Sequence, residues 1–395
     1  MLRSDAHAYA EARLIDFSLL AAVLVLLSIG LVMTGSASLD VSNSMFSSPF
    51  HIFAKQAVYA LAGLLVMVLV LLIPVPLIER YSWLLLFLAL GLLVLVLIIG
   101  REINGSIRWI PLGLFNLQAS EVAKLCIVIY LAAFLVRRLD EVRTKWTGFL
   151  KPMVVLGVSA ILLLLEPDFG SLVVLMGASL GMIYMAGARL LPFILLIFVM
   201  SSMIVLLVIF EPYRMARLTS YMDPWAHAFG SGYQLTQSLI AFGRGAFTGE
   251  GLGNSIQKLF YLPEAHTDFV YAVLAEEFGV IGSLLVLALF VFVAWRTLLI
   301  GYRAEGLGLL FHGFVAYGLS LLFISQALIN IGVNTGLLPT KGLALPLISY
   351  GGSSLLINCL AFGLLLRIDY ERRIEAQMIT GQKRNREKKH ADGSQ

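Results

Sequence analysis

Long runs of Leu, Val, Ile, Phe and Ala alternate along the chain with short polar or Gly/Pro-bearing breaks, and ten apolar segments stand out. Their cores cover 17–35, 52–73, 81–99, 122–136, 149–165, 171–186, 190–210, 269–294, 314–331 and 345–366, the fourth to sixth being the shortest. A helix crosses roughly 30 Å of hydrocarbon with about 20 residues. In lipid the backbone must satisfy its own hydrogen bonds, so such segments are helices rather than strands. The pattern predicts an all-α polytopic membrane protein with about ten transmembrane helices. One stretch breaks the rhythm: 211–268, between the seventh and eighth runs, is too long for a plain connection. It is rich in aromatic and apolar residues and is expected to be structured. Within it QLTQSLIAFGRG has the spacing of a short amphipathic helix, with Leu235, Leu239, Ile240 and Phe242 as its apolar members. That helix is expected to lie along the membrane surface or to plug into the bundle.

Composition agrees. Of 395 residues 59% are hydrophobic and 13% charged, against about 45–50% and about 25% in soluble domains. The polar start, residues 1–16, has no small-residue cleavage site after the first run, so it reads as a retained tail and the first run as an anchor. Most of the 28 Lys and Arg residues fall on one side if the N-terminus is inside, which predicts both termini in the cytoplasm. Cys126 and Cys359 lie inside spans and imply no disulfide framework. The basic end QKRNREKKH, in a tail covering 367–395, fits a solvated end facing lipid headgroups better than a nucleic-acid site. The domain division is therefore tail 1–16, membrane domain 17–366 with the long outer loop 211–268, and tail 367–395.

The unusual chemistry gathers on the outer side. REINGSIRWIPLGLFNLQASEVAK (101–124) reads as a folded loop leading into a helix, with Ser120 as its N-cap. LEPDFGS puts Glu166 and Asp168 in a tight turn, and GLLPTKGLALPLISYGGSS is a Gly/Pro/Ser-rich break between the last two runs. Irregular backbone of that kind is tolerated at membrane depth only under protein cover or along a polar cavity. Ionisable residues in spans cost about 2.5 kcal/mol or more and point to a cavity. Glu121 and Lys124 stand at i and i+3, as an intrahelical pair or a site. Asp168 fits an Asx-turn as well as a functional role, and Glu276 and Glu277 fit structural pairing as well as substrate contact. Arg108, Arg214, Arg217, Arg244 and Lys341 are further charged positions. In YLPEAHTDF, Glu264, His266 and Asp268 read three ways: a weak metal-ligand set, a cap by Asp268 without a capping box, or a general base with a pKa raised by desolvation. The glycines of GRGAFTGEGLG have no strand before them and no G-K-[ST] after them; they suit tight turns and close backbone approach rather than nucleotide binding.

Taken together, the 230–279 stretch, LEPDFGS, LQASEVAKL and LPTKGLALPLISYGGSS resemble the signature regions of the SEDS family (shape, elongation, division and sporulation), with similarity from about Asp16 to Glu371. SLIAFGRG and YLPEAHTDF resemble the division branch more than its main rival, the rod-elongation branch. The resemblance implies ten transmembrane helices with one long structured periplasmic loop between helices seven and eight. It implies a peptidoglycan glycosyltransferase, an inverting hexosyltransferase that polymerises lipid II (the undecaprenyl-pyrophosphate-linked disaccharide-pentapeptide) on the outer face of the bacterial inner membrane during septal wall synthesis. Implied partners are a class B penicillin-binding protein transpeptidase of the FtsI type and divisome regulators of the FtsQ, FtsL, FtsB and FtsN kind; nucleic acid is not among them. The family's essential acid maps onto Asp268 as the catalytic residue, and the other matched polar positions, Glu121, Lys124, Asp168, Glu264, His266, Lys341 and Ser349, are expected with Arg108 and Arg244 to bind substrate. Lys124, Arg108, Arg244 or a divalent cation, magnesium or manganese, are the candidates for stabilising the departing pyrophosphate. SEVAK and EPDFG depart from commoner spellings but keep their charged members. A lipid II flippase and a scaffold for the transpeptidase are the rival classes; no internal repeat of the transporter kind is evident.

Overall fold

The computed structural model describes residues 14–103, 106–111, 113, 116–189, 191, 193–194, 221–339 and 342–392. Nine of the ten predicted spans are helices: α1 (Phe17–Phe46), α2 (His51–Val70), α4 (Ser82–Ile99), α5 (Ala119–Arg137), α7 (Trp146–Leu165), α8 (Phe169–Met185), α10 (Val270–Gly306), α11 (Leu310–Asn334) and α12 (Gly352–Asp392). Short helices α3 (Val75–Arg80) and α6 (Leu139–Thr144) turn the chain between spans, and α9 (Tyr233–Gly245) is the amphipathic helix of the long loop. The seventh predicted span, 190–210, Arg214 and Arg217 lie outside the described residues. Apart from α8, the nine helices are long and apolar enough to cross a membrane. α12 continues as helix through the basic tail.

Burial orders the bundle. In α5 78% and in α11 67% of the most apolar window is buried, against 22% in α4, so the first two form the centre and α4 the lipid-facing rim. At one end, Asp16 caps α1 by accepting from the backbone of Ser18 and Leu19, and it also accepts from Arg296 Nε of α10 at 2.6 Å. Asp369, Arg372 and Arg373 of α12 form a buried ion-pair cluster at the same end. At the other end, Ser36 of α1 donates to Glu277 Oε1 of α10 at 2.5 Å. Asp16 to Ser36 is about 30 Å along α1. These two polar contacts therefore sit about one hydrocarbon thickness apart.

Two expectations change. The 101–124 loop is a small antiparallel sheet, β1 (Arg101–Ile103), β2 (Ser106–Pro111) and β3 (Asn116–Gln118), in the order β1-β2-β3, with Trp109 opposite Gln118 and Ile110 opposite Leu117. Strands this short carry too few alternations to be read from the sequence. Ser120 is not an N-cap: Gln118 holds that position without a side-chain bond, because the Ser120 hydroxyl is turned to Asp168.

α10 is broken where the long loop meets it. Gly279 adopts φ 67°, ψ −166°, a region essentially closed to residues with a Cβ. A Cβ there would also fall 2.4 Å from the Phe247 carbonyl oxygen. The loop fills the gap from both sides: Val280 and Ile281 donate to the carbonyls of Ala246 and Phe247, while Glu250 and Gly251 donate to those of Glu276 and Glu277. The backbone groups freed by the break are thereby satisfied, as burial requires. The glycine run was expected to permit close backbone approach, and Gly249, at φ +81°, does so against Glu277.

The break redirects residues 270–278. Ser320 of α11 bonds the Ala294 carbonyl of α10, and Asn334 stands about 21 Å further along α11. A straight α10 reaches that height near Val280. Asn334 bonds the Ala272 N–H and the Asp268 carbonyl instead. Residues 270–278 therefore lie across the end of the bundle, and Asp268 is drawn down beside the last turns of α11.

Candidate functional site

Asp268 sits where four pieces of chain meet: the turn before α10, the end of α11, the irregular segment 342–351 and β2. It does not cap α10; Phe269 holds that position. Its carbonyl accepts from Asn330 Nδ2 at 2.8 Å and from Asn334 Nδ2 at 3.0 Å. Its carboxylate lies over Gly342, where a Cβ would come 3.0 Å from Oδ2 of Asp268 and 3.9 Å from Nη1 of Arg108. Carboxylate and guanidinium thus both border the space a side chain at 342 would fill. Asp268 keeps part of its surface open but is closely surrounded by protein. Burial raises its pKa to about 7; Glu264 and Asp168 push the same way and Arg108 opposes them.

Arg108 reaches from β2 to the Pro167 carbonyl and stands 3.9 Å from Asp168 Oδ1. Asp168 caps α8 through the Ser171 N–H and accepts from Ser120 Oγ at 2.8 Å. The Asx-type role is therefore real, and it also fixes the carboxylate beside Arg108. Glu166, fully buried in the same turn, has neither carboxylate oxygen hydrogen-bonded among the described residues. Burial raises its pKa to about 8, with Asp168 adding and Arg108 opposing.

The neighbours of Asp268 in its own segment shape the turn. Glu264 has φ +58°; its carbonyl accepts from Thr267 and Phe269, and its Oε2 accepts from the Thr267 hydroxyl at 2.6 Å. The His266 ring packs on Tyr350 with centroids 5.7 Å apart, and burial lowers its pKa, favouring a neutral imidazole. Ser349 Oγ donates to the Thr267 carbonyl at 2.6 Å and accepts from the Leu345 N–H. Its visible work is to stitch the last outer segment to the Asp268 turn.

Below this turn, Glu121 and Lys124 form the intrahelical pair at 2.8 Å, both buried. Lys124 Nζ also donates to Gln326 Oε1 at 2.7 Å. The pair lines a cavity of about 40 Å³ with Gln326, Phe323, Asn358 and Phe362, room for a few waters. Arg244 is placed elsewhere: its Nε bonds Glu276 at 2.8 Å, and Glu276 further accepts from Ser255 Oγ and the N–H groups of Ile256 and Gln257. Glu277 pairs with Lys258 at 2.8 Å. Both span-eight glutamates are thereby resolved as the anchors of the long loop. Lys341 lies outside the described residues. Among those residues, no three His, Cys, Asp or Glu side chains converge to hold a metal.

The sequence reading missed Gln326, Asn330 and Asn334. Their signal was present: three amides at i, i+4 and i+8 on one face of an otherwise apolar span.

Fold and site define a polytopic membrane protein with a partly open carboxylate–guanidinium site at one end of its bundle. The sequence profile described as cell cycle protein, that of FtsW, RodA and SpoVE, matches residues 17–374, and the chain belongs to this family. It is 55% identical over 359 residues to the probable peptidoglycan glycosyltransferase FtsW of Hahella chejuensis, covering 90% of each chain. To the protein of the same name from Pseudomonas fluorescens it is 55% identical over 361 residues, 91% of this chain and 89% of the other. Among solved structures it resembles a chain of a peptidoglycan synthase complex described as coordinating polymerization and crosslinking (TM-score 0.74, 27% identity, 91% and 98% covered). It also resembles the rod shape determining protein RodA of Thermus thermophilus (TM-score 0.67, 25% identity, 91% and 97% covered).

Proposed function

We propose that the chain is a peptidoglycan glycosyltransferase that polymerises lipid II into glycan strands for septal wall synthesis, at the outer face of the bacterial inner membrane and with both termini in the cytoplasm. The relatives' names support the activity. The observation that carries the chemistry is Asp268, a half-open carboxylate with a pKa raised to about 7 beside the Arg108 guanidinium. A base with a pKa near the working pH is the form best matched to removing a hydroxyl proton.

In the proposed reaction the 4-hydroxyl oxygen of the acceptor GlcNAc attacks C1 of the donor MurNAc, the C1–O bond to pyrophosphate breaks, and the hydroxyl proton passes to Asp268. An α-linked donor giving a β-1,4 product is a single inversion, which needs one base and no carboxylate nucleophile. Arg108 faces the leaving pyrophosphate, whose developing charge a guanidinium stabilises. Lys124 acts from below by keeping Glu121 and Gln326 in place. A divalent cation fits this chain as an ion carried largely on pyrophosphate oxygens, with at most one or two carboxylates contributing. An FtsI-type class B penicillin-binding protein is the proposed crosslinking partner, and FtsQ-, FtsL-, FtsB- and FtsN-like regulators the proposed recruiters.

Purified protein with lipid II and its transpeptidase partner tests the reading. Glycan strands are expected from the wild type and not from Asp268→Ala; wild-type strand yield in that variant would sink the base assignment. Transfer of lipid II across proteoliposomes without polymerisation would favour the flippase.

A further inference from the structure

The end of α11 carries a ladder of amides that bonds the Asp268 turn, the start of α10, segment 342–351 and Lys124. Gln326 holds Lys124 through Oε1 at 2.7 Å and the Ala344 carbonyl through Nε2 at 3.0 Å. One turn on, Asn330 Nδ2 donates to the Leu343 carbonyl at 2.6 Å and to the Asp268 carbonyl at 2.8 Å. A further turn on, Asn334 Nδ2 donates to the same Asp268 carbonyl, while its Oδ1 accepts from the Ala272 N–H at 3.1 Å. All three side chains are buried, at 4%, 1% and 0% exposure. The spacing i, i+4, i+8 puts the three on one helix face.

Two features make this more than packing. The break at Gly279 leaves residues 270–278 lying across the bundle end, so the height of Asp268 is not fixed by α10 itself. Nor is it fixed by a capping bond, since none forms. Segment 342–351 is likewise irregular, and Gly342 offers the carboxylate only a backbone surface. The amides span these pieces with five hydrogen bonds from one regular helix. We infer that Asn330 and Asn334 are the positioning residues of the reaction, holding the Asp268 carboxylate over Gly342 and beside Arg108, and that Gln326 ties the same wall to the Glu121–Lys124 pair. This rests on Asp268 being the general base.

Displacement of a base by about 1 Å costs on the order of a hundredfold in rate. Among the described residues, the charged groups facing Asp268 are Glu264 in its own turn, Arg108 from β2 and Asp168 from the turn before α8; the α11 face contributes none. A loosened Asp268 relaxes toward water, where its carboxyl ionises at lower pH.

The test uses the full chain with its transpeptidase partner and lipid II, measuring kcat, KM and the acid limb of the pH–rate profile. Asn330→Leu, near in shape and without donors, is expected to lower kcat at least tenfold, to leave KM within about threefold, and to move the acid limb to lower pH. Unchanged kcat and acid limb in folded Asn330→Leu would overturn the inference. So would a rate loss that merely follows the folded fraction, with the limb in place. If Asn330→Leu does not fold, Asn334→Ala, which removes one of two donors to the same carbonyl, is judged by the same readouts. Asp268→Asn, run in parallel, separates the two claims: wild-type turnover there removes the base assignment, whereas an inactive Asp268→Asn beside an unaffected Asn330→Leu removes only the positioning role.

Discussion

Replacing Glu277 by Leu leaves the Lys258 ammonium buried without its countercharge. In the folded protein Lys258 Nζ donates to Glu277 Oε1, Ser36 Oγ and the Gly253 carbonyl, each at 2.8 Å, and the two charged side chains are 4% and 0% exposed. Losing one partner of such a pair costs about 3–5 kcal/mol, because the other charge remains desolvated. Two surviving hydrogen bonds place Glu277→Leu near the lower end, about 3 kcal/mol. Adding Lys258→Met removes the stranded charge, so the double variant is expected within about 1 kcal/mol of wild type. The non-additivity is then at least about 2 kcal/mol, well above the scatter for independent sites. Reversible SDS unfolding in micelles, followed by tryptophan fluorescence, gives the four corners of the cycle. A Glu277→Leu cost below about 1 kcal/mol would refute the reasoning, as would a double variant as unstable as the sum of its singles. Either result would mean that the pair does not pin the long loop to α1 and α10.

Further outcomes follow from the site and from the break in α10. Asp268 must be ionised to accept a proton, so with its pKa at about 7 polymerisation should fall about tenfold per pH unit below 7; because Arg108 opposes the shift, Arg108→Gln should move that acid limb to higher pH, and a limb that stays put would contradict the influence of the guanidinium on Asp268. Gly279→Ala should cost about 1–3 kcal/mol from backbone conformation before the clash with Phe247 is counted, and limited proteolysis should show 246–251 cut faster than in wild type; unchanged digestion would show that the break is not held by glycine.

Much of the frame was legible in the chain. Window length and hydropathy locate nine described helices, because a segment in lipid must close its own backbone hydrogen bonds and can do so only as a helix, though α1, α10 and α12 run well past the predicted ends. Local spacing was also enough for α9, and it offered the Glu121–Lys124 pair, whose members lie within one turn, as one of two readings. The chemical singularity of YLPEAHTDF was visible too, though not which of its groups mattered.

What tertiary structure alone decided are the contacts between residues distant in sequence. Arg108 and Asp268 are brought to the same glycine, Gly342; the Ser349 hydroxyl joins two backbone groups; Glu276 and Glu277 anchor the long loop. Nor does any local pattern say that a helix as apolar as α10 is broken at Gly279, since the groups that make the break tolerable come from Ala246, Phe247, Glu250 and Gly251. The physical reason is the same throughout. A span's hydrogen bonds are closed within itself and so are written in its own residues, whereas a buried ionisable or amide group is satisfied by whatever the fold brings to it.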